Sequence, residues 1–298
     1  MKKRGLLIVI TVLFLFVLSL LASLFWLDHR PSTTKLSLSP GKIGVVEIRG
    51  MILDVKEVLE EIKTFRDDPG IKTILVRIES PGGGVGPSQE IFQELRRTIE
   101  KKPVVASLGG IAASGGYYVA AATSYIVANP GTLTGSIGVI VHFSNLEGLF
   151  GKLGYEMVTV KSGRFKDIGN PGRKMTPEEE AIMQQLIDEV HQQFIQDVIK
   201  GRSLPEDQVR QIADGRVLTG ALAKQLGLID ELGNFHDAVK AAAKFGNITG
   251  EPDLVYPEKK KRSVLDFLFG TEAAQQLHLY LAEPWQPVRY QAPFPLSP

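Results

Sequence analysis

An α/β domain built on a mostly parallel sheet is what this sequence predicts. Short apolar runs alternate with stretches of helical spacing through the middle of the chain. Two of those runs pass directly into glycine-rich turns that open a helix, Ser80-Pro-Gly-Gly-Gly-Val85 and Gly109-Gly110 with Ile111-Ala-Ala-Ser-Gly-Gly-Tyr-Tyr118. The 298 residues suffice for one large domain or two small ones.

The chain opens with Met1-Lys-Lys-Arg4 and an uncharged, mostly apolar run over 5–27. As a helix that run is about 34 Å long, enough to span a bilayer. A cleaved signal peptide has a shorter apolar core and a small-residue exit. This run ends Leu24-Phe-Trp-Leu27, an interfacial aromatic anchor. The expectation is an uncleaved, single-pass cell-membrane anchor, with residues 1–4 cytoplasmic and everything after 27 outside the cytoplasm. The formal net charge of +1 gives no sign of a nucleic-acid partner, and the three N-terminal cations leave the remainder slightly acidic. Cysteine is absent, which excludes disulfides, a thiol nucleophile and Cys-ligated zinc. His29, His142, His191, His236 and His278 show no i, i+4 pairing, so no metal is expected.

Residues 28–40, with Pro, Ser and Thr and no periodicity, read as a linker. The folded domain is expected over 41–248. Strands are predicted at 43–48, 72–78, 103–108, 125–128 and 155–160, and helices at 55–65, 88–101 and 143–153, with another entered at Ser114 and continuing through 119–123; the glycine-rich turn 134–138 leads into the apolar run 139–143. Asp67-Asp68-Pro69-Gly70 stops the first helix, and Ile91, Leu95 and Ile99 give the second its buried stripe. The longest helix is expected from Thr176 to about 200, with Thr176 as N-cap, Pro177 in the first turn and Glu179 as capping-box partner. Shorter helices follow at 206–213, 220–226 and 235–245. Residues 249–298 read as a partly disordered tail, proline-rich at its end. Within it Lys259-Lys-Lys-Arg262 is a solvated charge run, contact with anionic lipid being the functional alternative.

Ser114 lies at a strand-to-helix turn between glycines, where a nucleophilic hydroxyl can be held on a rigid corner. The N–H groups of Gly115 and Gly116 leave the helix start and can meet an oxyanion. Taken alone, Ala-Ser-Gly-Gly reads as a small-residue turn. The loop Ser80-Pro-Gly-Gly-Gly84 lets backbone approach a ligand, and it is no phosphate loop because no Gly-Lys-Ser/Thr follows. A serine nucleophile needs a base. His142 sits in an apolar run that suits a packed histidine better than a base. A buried lysine, neutral through a lowered pKa, is the other option. Spacing alone leaves Lys161, Arg164 and Lys166 open.

Five stretches in order decide further: Ser80-Pro-Gly-Gly-Gly84, Ala112-Ala-Ser-Gly-Gly-Tyr-Tyr118, residues 128–139 (Ala-Asn-Pro-Gly-Thr-Leu-Thr-Gly-Ser-Ile-Gly-Val), Lys161-Ser-Gly-Arg-Phe-Lys-Asp167, and Asp214-Gly-Arg-Val-Leu-Thr-Gly220 through Asp230-Glu-Leu-Gly233. Together, over 41–245, they resemble the signal peptide peptidase A family in its short single-domain form. The resemblance implies a crotonase-like, ClpP-like fold behind an N-terminal anchor. It also implies a serine endopeptidase acting on remnant signal peptides and other membrane-associated polypeptides. It assigns the nucleophile to Ser114, the general base to Lys166 and a lysine-orienting hydroxyl to Ser136. The backbone of Gly83 and Gly115 falls to the oxyanion hole. It implies no cofactor, a ring-like homo-oligomer and, in the short form, a dyad completed between adjacent chains. The rival readings are an acyl-CoA enzyme on the same fold and a non-catalytic membrane scaffold.

Overall fold

The computed structural model describes residues 41–258 and 289–291, with Leu15 and Ser19 alone ahead of them. The anchor expected over 5–27, the linker over 28–40 and the basic run at 259–262 lie essentially outside the described residues. Among the described residues no helix is long and apolar enough to cross a membrane.

The parallel sheet is as expected, and its residues explain it. Strands β1 (Lys42–Arg49), β2 (Ile71–Ser80) and β4 (Val104–Ala113) lie side by side in parallel register. In β2 the run Ile74, Leu75, Val76 and Ile78 is fully buried, without polar alternation. Such a run is stable only where both faces of a sheet are covered. On one face, helix α8 (Phe235–Phe245) brings Ala238, Val239 and Ala242 onto Ile43, Val45, Leu75, Val105 and Val127. The other face carries α1 (Lys56–Asp67), α2 (Val85–Ile99), α3 (Gly115–Ala121) and α5 (Pro177–Arg202). Each aliphatic side chain so buried contributes about 1.5–3 kcal/mol. Tyr117 and Tyr118 of α3 are fully buried. The Tyr117 hydroxyl donates to the Leu228 carbonyl at 2.9 Å, and burial pushes it well above the usual phenol range. The Tyr118 hydroxyl donates to Asp197.

The edges of the sheet set the site. β4 is the branching strand: its first half pairs with β5 (Tyr125–Ala128) and its last three residues with β6 (Leu133–Gly135). β6 then pairs antiparallel with β7 (Val217–Thr219), and β5 pairs with β8 (Glu231–Leu232). The sheet also runs past the expected boundary at 248, because β9 (Asp253–Val255) pairs parallel with β1. Apart from it, β3 (Gly82–Gly84) pairs antiparallel with β10 (Arg289–Gln291), a short strand from within the expected tail.

One expected strand does not form. At 155–160 the alternating residues are exposed, with no strand beside them among the described residues. A lone extended segment leaves its N–H and C=O groups unpaired within the chain. The helix expected at 143–153 is shortened to α4 (Glu147–Leu153). The capping box at α5 forms as expected: Glu179 N–H donates to Thr176 Oγ1 at 3.3 Å and Thr176 N–H to Glu179 Oε2 at 2.9 Å. The remaining helices are α6 (Glu206–Ile212) and α7 (Gly220–Gln225).

Candidate active site

Ser114 ends β4 and caps α3, with φ 53° and ψ −118°. A side chain at positive φ and this ψ is strained, at a cost of about 1–3 kcal/mol. Its backbone is held from both sides: Ser114 N–H donates to Gly135 O at 2.8 Å and Ser114 O accepts from Tyr118 N–H at 2.8 Å. The residue is completely buried, and its Oγ has no hydrogen-bond partner among the described residues. An orphaned buried hydroxyl is destabilising by about 1–3 kcal/mol, so strain and desolvation coincide at one side chain.

Ser136 lies next to it. Ala113 pairs with Gly135 at the ends of β4 and β6, and one step beyond each strand are Ser114 and Ser136. Ser136 is also buried and also at positive φ, 51°, with its N–H donating to Arg216 O at 2.9 Å.

Gly83 and Gly115 meet beside Ser114. A Cβ on Gly115 would come within 2.6 Å of Ser88 Oγ and 3.1 Å of the Gly83 nitrogen, and a Cβ on Gly83 within 2.2 Å of Ile52 O. Only glycine fits either place. Ile52 N–H donates to Gly82 O at 2.9 Å and Gly84 N–H to Ile52 O at 2.8 Å. Backbone groups alternate sides along a strand, so the Gly83 amide faces away from Ile52, toward the edge where Tyr290 pairs with Gly83. Ser88, which sequence reading missed, donates its hydroxyl to Gly84 O at 2.8 Å and packs where a Gly115 side chain would be.

Lys166 makes no hydrogen bond to Ser114 among the described residues. It is exposed, in a turn where its N–H donates to Gly163 O at 3.1 Å. Its neighbours are fixed by charge. Lys161 pairs with Asp167 and donates to Arg164 O at 2.9 Å, and Arg164 pairs with Glu178. Arg173 grips Glu179 with two bonds of 2.7 and 2.6 Å and reaches Asp167 at 3.1 Å through Nε. The Arg173 and Lys161 hydrogen bonds hold the Asp167 carboxyl far below the usual range, and Arg173 is the main cause of lowering Glu179 to about 2. Of the three cations left open by spacing, Lys161 and Arg164 are thus committed to carboxylates. Lys166 Nζ has no side-chain partner among the described residues. Arg173 was missed in the sequence, although a cation six residues before a capping-box glutamate is a visible hint. His142 is exposed, outside any strand or helix.

The arrangement can present a nucleophilic hydroxyl beside two backbone amides, the parts that acyl transfer needs. Comparisons with known proteins agree in kind. Residues 96–249 match the family model of peptidase family S49, a span that holds Ser114, Ser136 and Lys166 and begins after Gly83. A protein of Synechocystis sp. described as a candidate protease is 45% identical over 216 residues, 72% of this chain and 77% of that protein. One of Enterococcus faecium described as a candidate signal peptide peptidase SppA is 34% identical over 230 residues, 72% of this chain and 67% of that protein. Serine protease SPPA, chloroplastic, of Arabidopsis thaliana is 34% identical over 230 residues, 76% of this chain but 34% of that longer protein.

Proposed function

The chain belongs to peptidase family S49, as an SppA-type peptidase, and from that membership we propose a membrane-anchored serine endopeptidase with a Ser114–Lys166 dyad on a crotonase-like, ClpP-like domain. The observation that carries it is Ser114, whose buried, unpartnered hydroxyl is held at positive φ beside Gly83 and Gly115. Neutral Lys166 takes the Ser114 proton while Oγ attacks the peptide carbonyl carbon. The oxyanion is met by the N–H groups of Gly83 and Gly115. Lys166 returns the proton to the leaving amine, and the C–N bond breaks to leave an ester on Ser114. Water, deprotonated by the same amine, hydrolyses that ester. Ser136, one step beyond the neighbouring strand, orients the lysine amine.

Substrates are remnant signal peptides and other membrane-associated polypeptides, lying extended along β3. That edge is suited to them, since a segment of this chain already pairs there antiparallel. The apolar run over 5–27 anchors the chain with its peptidase domain outside the cytoplasm.

The lysine reaches Ser114 from an adjacent chain of a ring-like homo-oligomer. Three features support this reading. Ser114 Oγ is unpartnered among the described residues, and Lys166 is exposed. The segment leading to Lys166 also bares apolar side chains, with Leu153 at 70% and Val160 at 95% exposure. A second copy would cover them.

The test is hydrolysis of an unstructured reporter peptide by the detergent-extracted full chain from pH 6 to 10. Activity should rise with pH across that range, because an amine accepts a proton only in its neutral form. It should vanish in both Ser114→Ala and Lys166→Ala. Near-normal activity in Lys166→Ala would remove the dyad. A rate following a group near 6.5 and lost in His142→Ala would transfer the role to His142.

A further inference from the structure

The strand that delivers Ser114 is broken just before it. Ile78 pairs with Leu108 across β2 and β4, but the next pair is Ser80 with Ala112. Only Glu79 on β2 therefore stands against Gly109, Gly110 and Ile111 on β4. At this bulge β4 stops pairing with β5 and begins pairing with β6. A bulge re-aims the strand that carries it and leaves backbone groups without ladder partners.

Those groups are taken by side chains. Both oxygens of Glu79 accept the Gly110 N–H, at 3.0 Å each. Thr132 Oγ1 donates to Gly109 O at 2.6 Å from the far side. Glu79 is itself held, because Arg77 donates to its Oε1 at 2.7 Å and to Ser107 Oγ at 3.0 Å. The Arg77 guanidinium also lies 5.7 Å over the Phe235 ring of α8. The fit is close: a Cβ on Gly109 would lie 1.4 Å from Glu79 Oε1. The carboxylate fills the place of the missing ladder partner.

We propose that Glu79 is a positioning residue for Ser114: its carboxylate closes the β4 bulge through the Gly110 N–H and so fixes the direction in which β4 delivers the nucleophile to the Gly83 and Gly115 amides. Glu79 touches neither substrate nor reacting atoms. It acts on the four-residue lever from Gly110 to Ser114, where a misplacement of about 1 Å costs about 100-fold in rate. The role rests on Ser114 being the nucleophile, as proposed above, but its backbone part can be read without any activity.

Three single variants test it, Glu79→Ala, Glu79→Gln and Thr132→Val, each made in the full chain. The readouts are amide exchange at 109–116, kcat and KM on the reporter peptide, and the rate at which a fluorophosphonate labels Ser114. Glu79→Ala should exchange the Gly110 amide at least about 10-fold faster. It should lower kcat and the labelling rate together by about 10- to 100-fold, with KM within about two-fold. Glu79→Gln keeps an acceptor oxygen and should restore all three to within about three-fold of wild type. Thr132→Val, nearly isosteric, should lower kcat in the same direction and carries the test if Glu79→Ala does not fold. Unchanged exchange and kcat in Glu79→Ala would overturn the proposal. So would a Glu79→Gln variant as impaired as Glu79→Ala, which would make charge pairing to Arg77 the whole role. If the wild type neither cleaves nor labels, the functional reading fails, and the exchange data alone still judge the bulge.

Discussion

At Ser114 the molecule concentrates features that folding alone would avoid: positive φ, full burial and a hydroxyl without a partner. Gly83 is the sharpest test of how that residue is served. Its Cβ would meet Ile52 O at 2.2 Å, so Gly83→Ala must push β3 away from Ile52 and displace the Gly83 amide. The expected outcome is a kcat loss of about 10²–10³-fold, the scale of removing one oxyanion donor, measured on the reporter peptide. A variant with wild-type kcat would take Gly83 out of the oxyanion hole. The order of small residues around Ser114 was readable in the sequence, since glycines after a strand point to a turn at which backbone comes close. Ser88 and Glu79 were not readable. Their importance depends on what lies across from them, a hydroxyl filling the place of a missing Cβ and a carboxylate facing a bulge. No local spacing encodes either.

Among the elements, those fixed by burial were legible and those fixed by pairing were not. The Ile74–Ile78 run and the Thr176–Glu179 capping box each carry their own local cause, and both formed as expected. Residues 155–160 alternate as a strand would but have no neighbouring strand among the described residues, and alternation cannot show that. β9 and β10 are three residues each, too short for any periodic signal, and are defined only by β1 and β3. Two predictions belong here. Truncation before Arg289 should free the β3 edge and raise peptide hydrolysis by about 2- to 10-fold through a lower apparent KM, as removal of an intramolecular competitor does. Unchanged kinetics would mean that β10 does not compete with peptide. The second concerns the join between the Lys166 turn and α5. Glu179 has a folded pKa lowered to about 2, chiefly by Arg173. A depressed carboxylate stabilises the fold above its unfolded value of about 4.3 and loses that contribution as pH falls through the folded value. Arg173→Met should therefore have a lower thermal midpoint than wild type at pH 7, with the gap closing between about pH 4.3 and pH 2. A gap independent of pH would show that packing, not charge, makes the clamp.

At the scale of the whole molecule, the exposure of Lys166 beside the burial of Ser114 is the feature to be explained. A single chain buries Ser114 beside Gly83 and Gly115 and exposes Lys166, the proposed base, on a turn that follows bare apolar side chains. Co-assembled Ser114→Ala and Lys166→Ala chains, each inactive, should regain activity in mixed oligomers, because some contacts then receive an intact serine from one chain and an intact lysine from the next. Mixed oligomers that stay inactive would place serine and lysine in the same chain. The most direct test of the account as a whole is covalent. The detergent-extracted full chain is treated with a fluorophosphonate, the adduct is mapped by mass spectrometry, and the labelling rate is compared with that of Lys166→Ala. The account predicts one adduct, on Ser114, formed at least about 100-fold more slowly without Lys166, as loss of an activating general base requires. An adduct on any other residue, or an unlabelled Ser114 in chains that still cleave peptide, would contradict it.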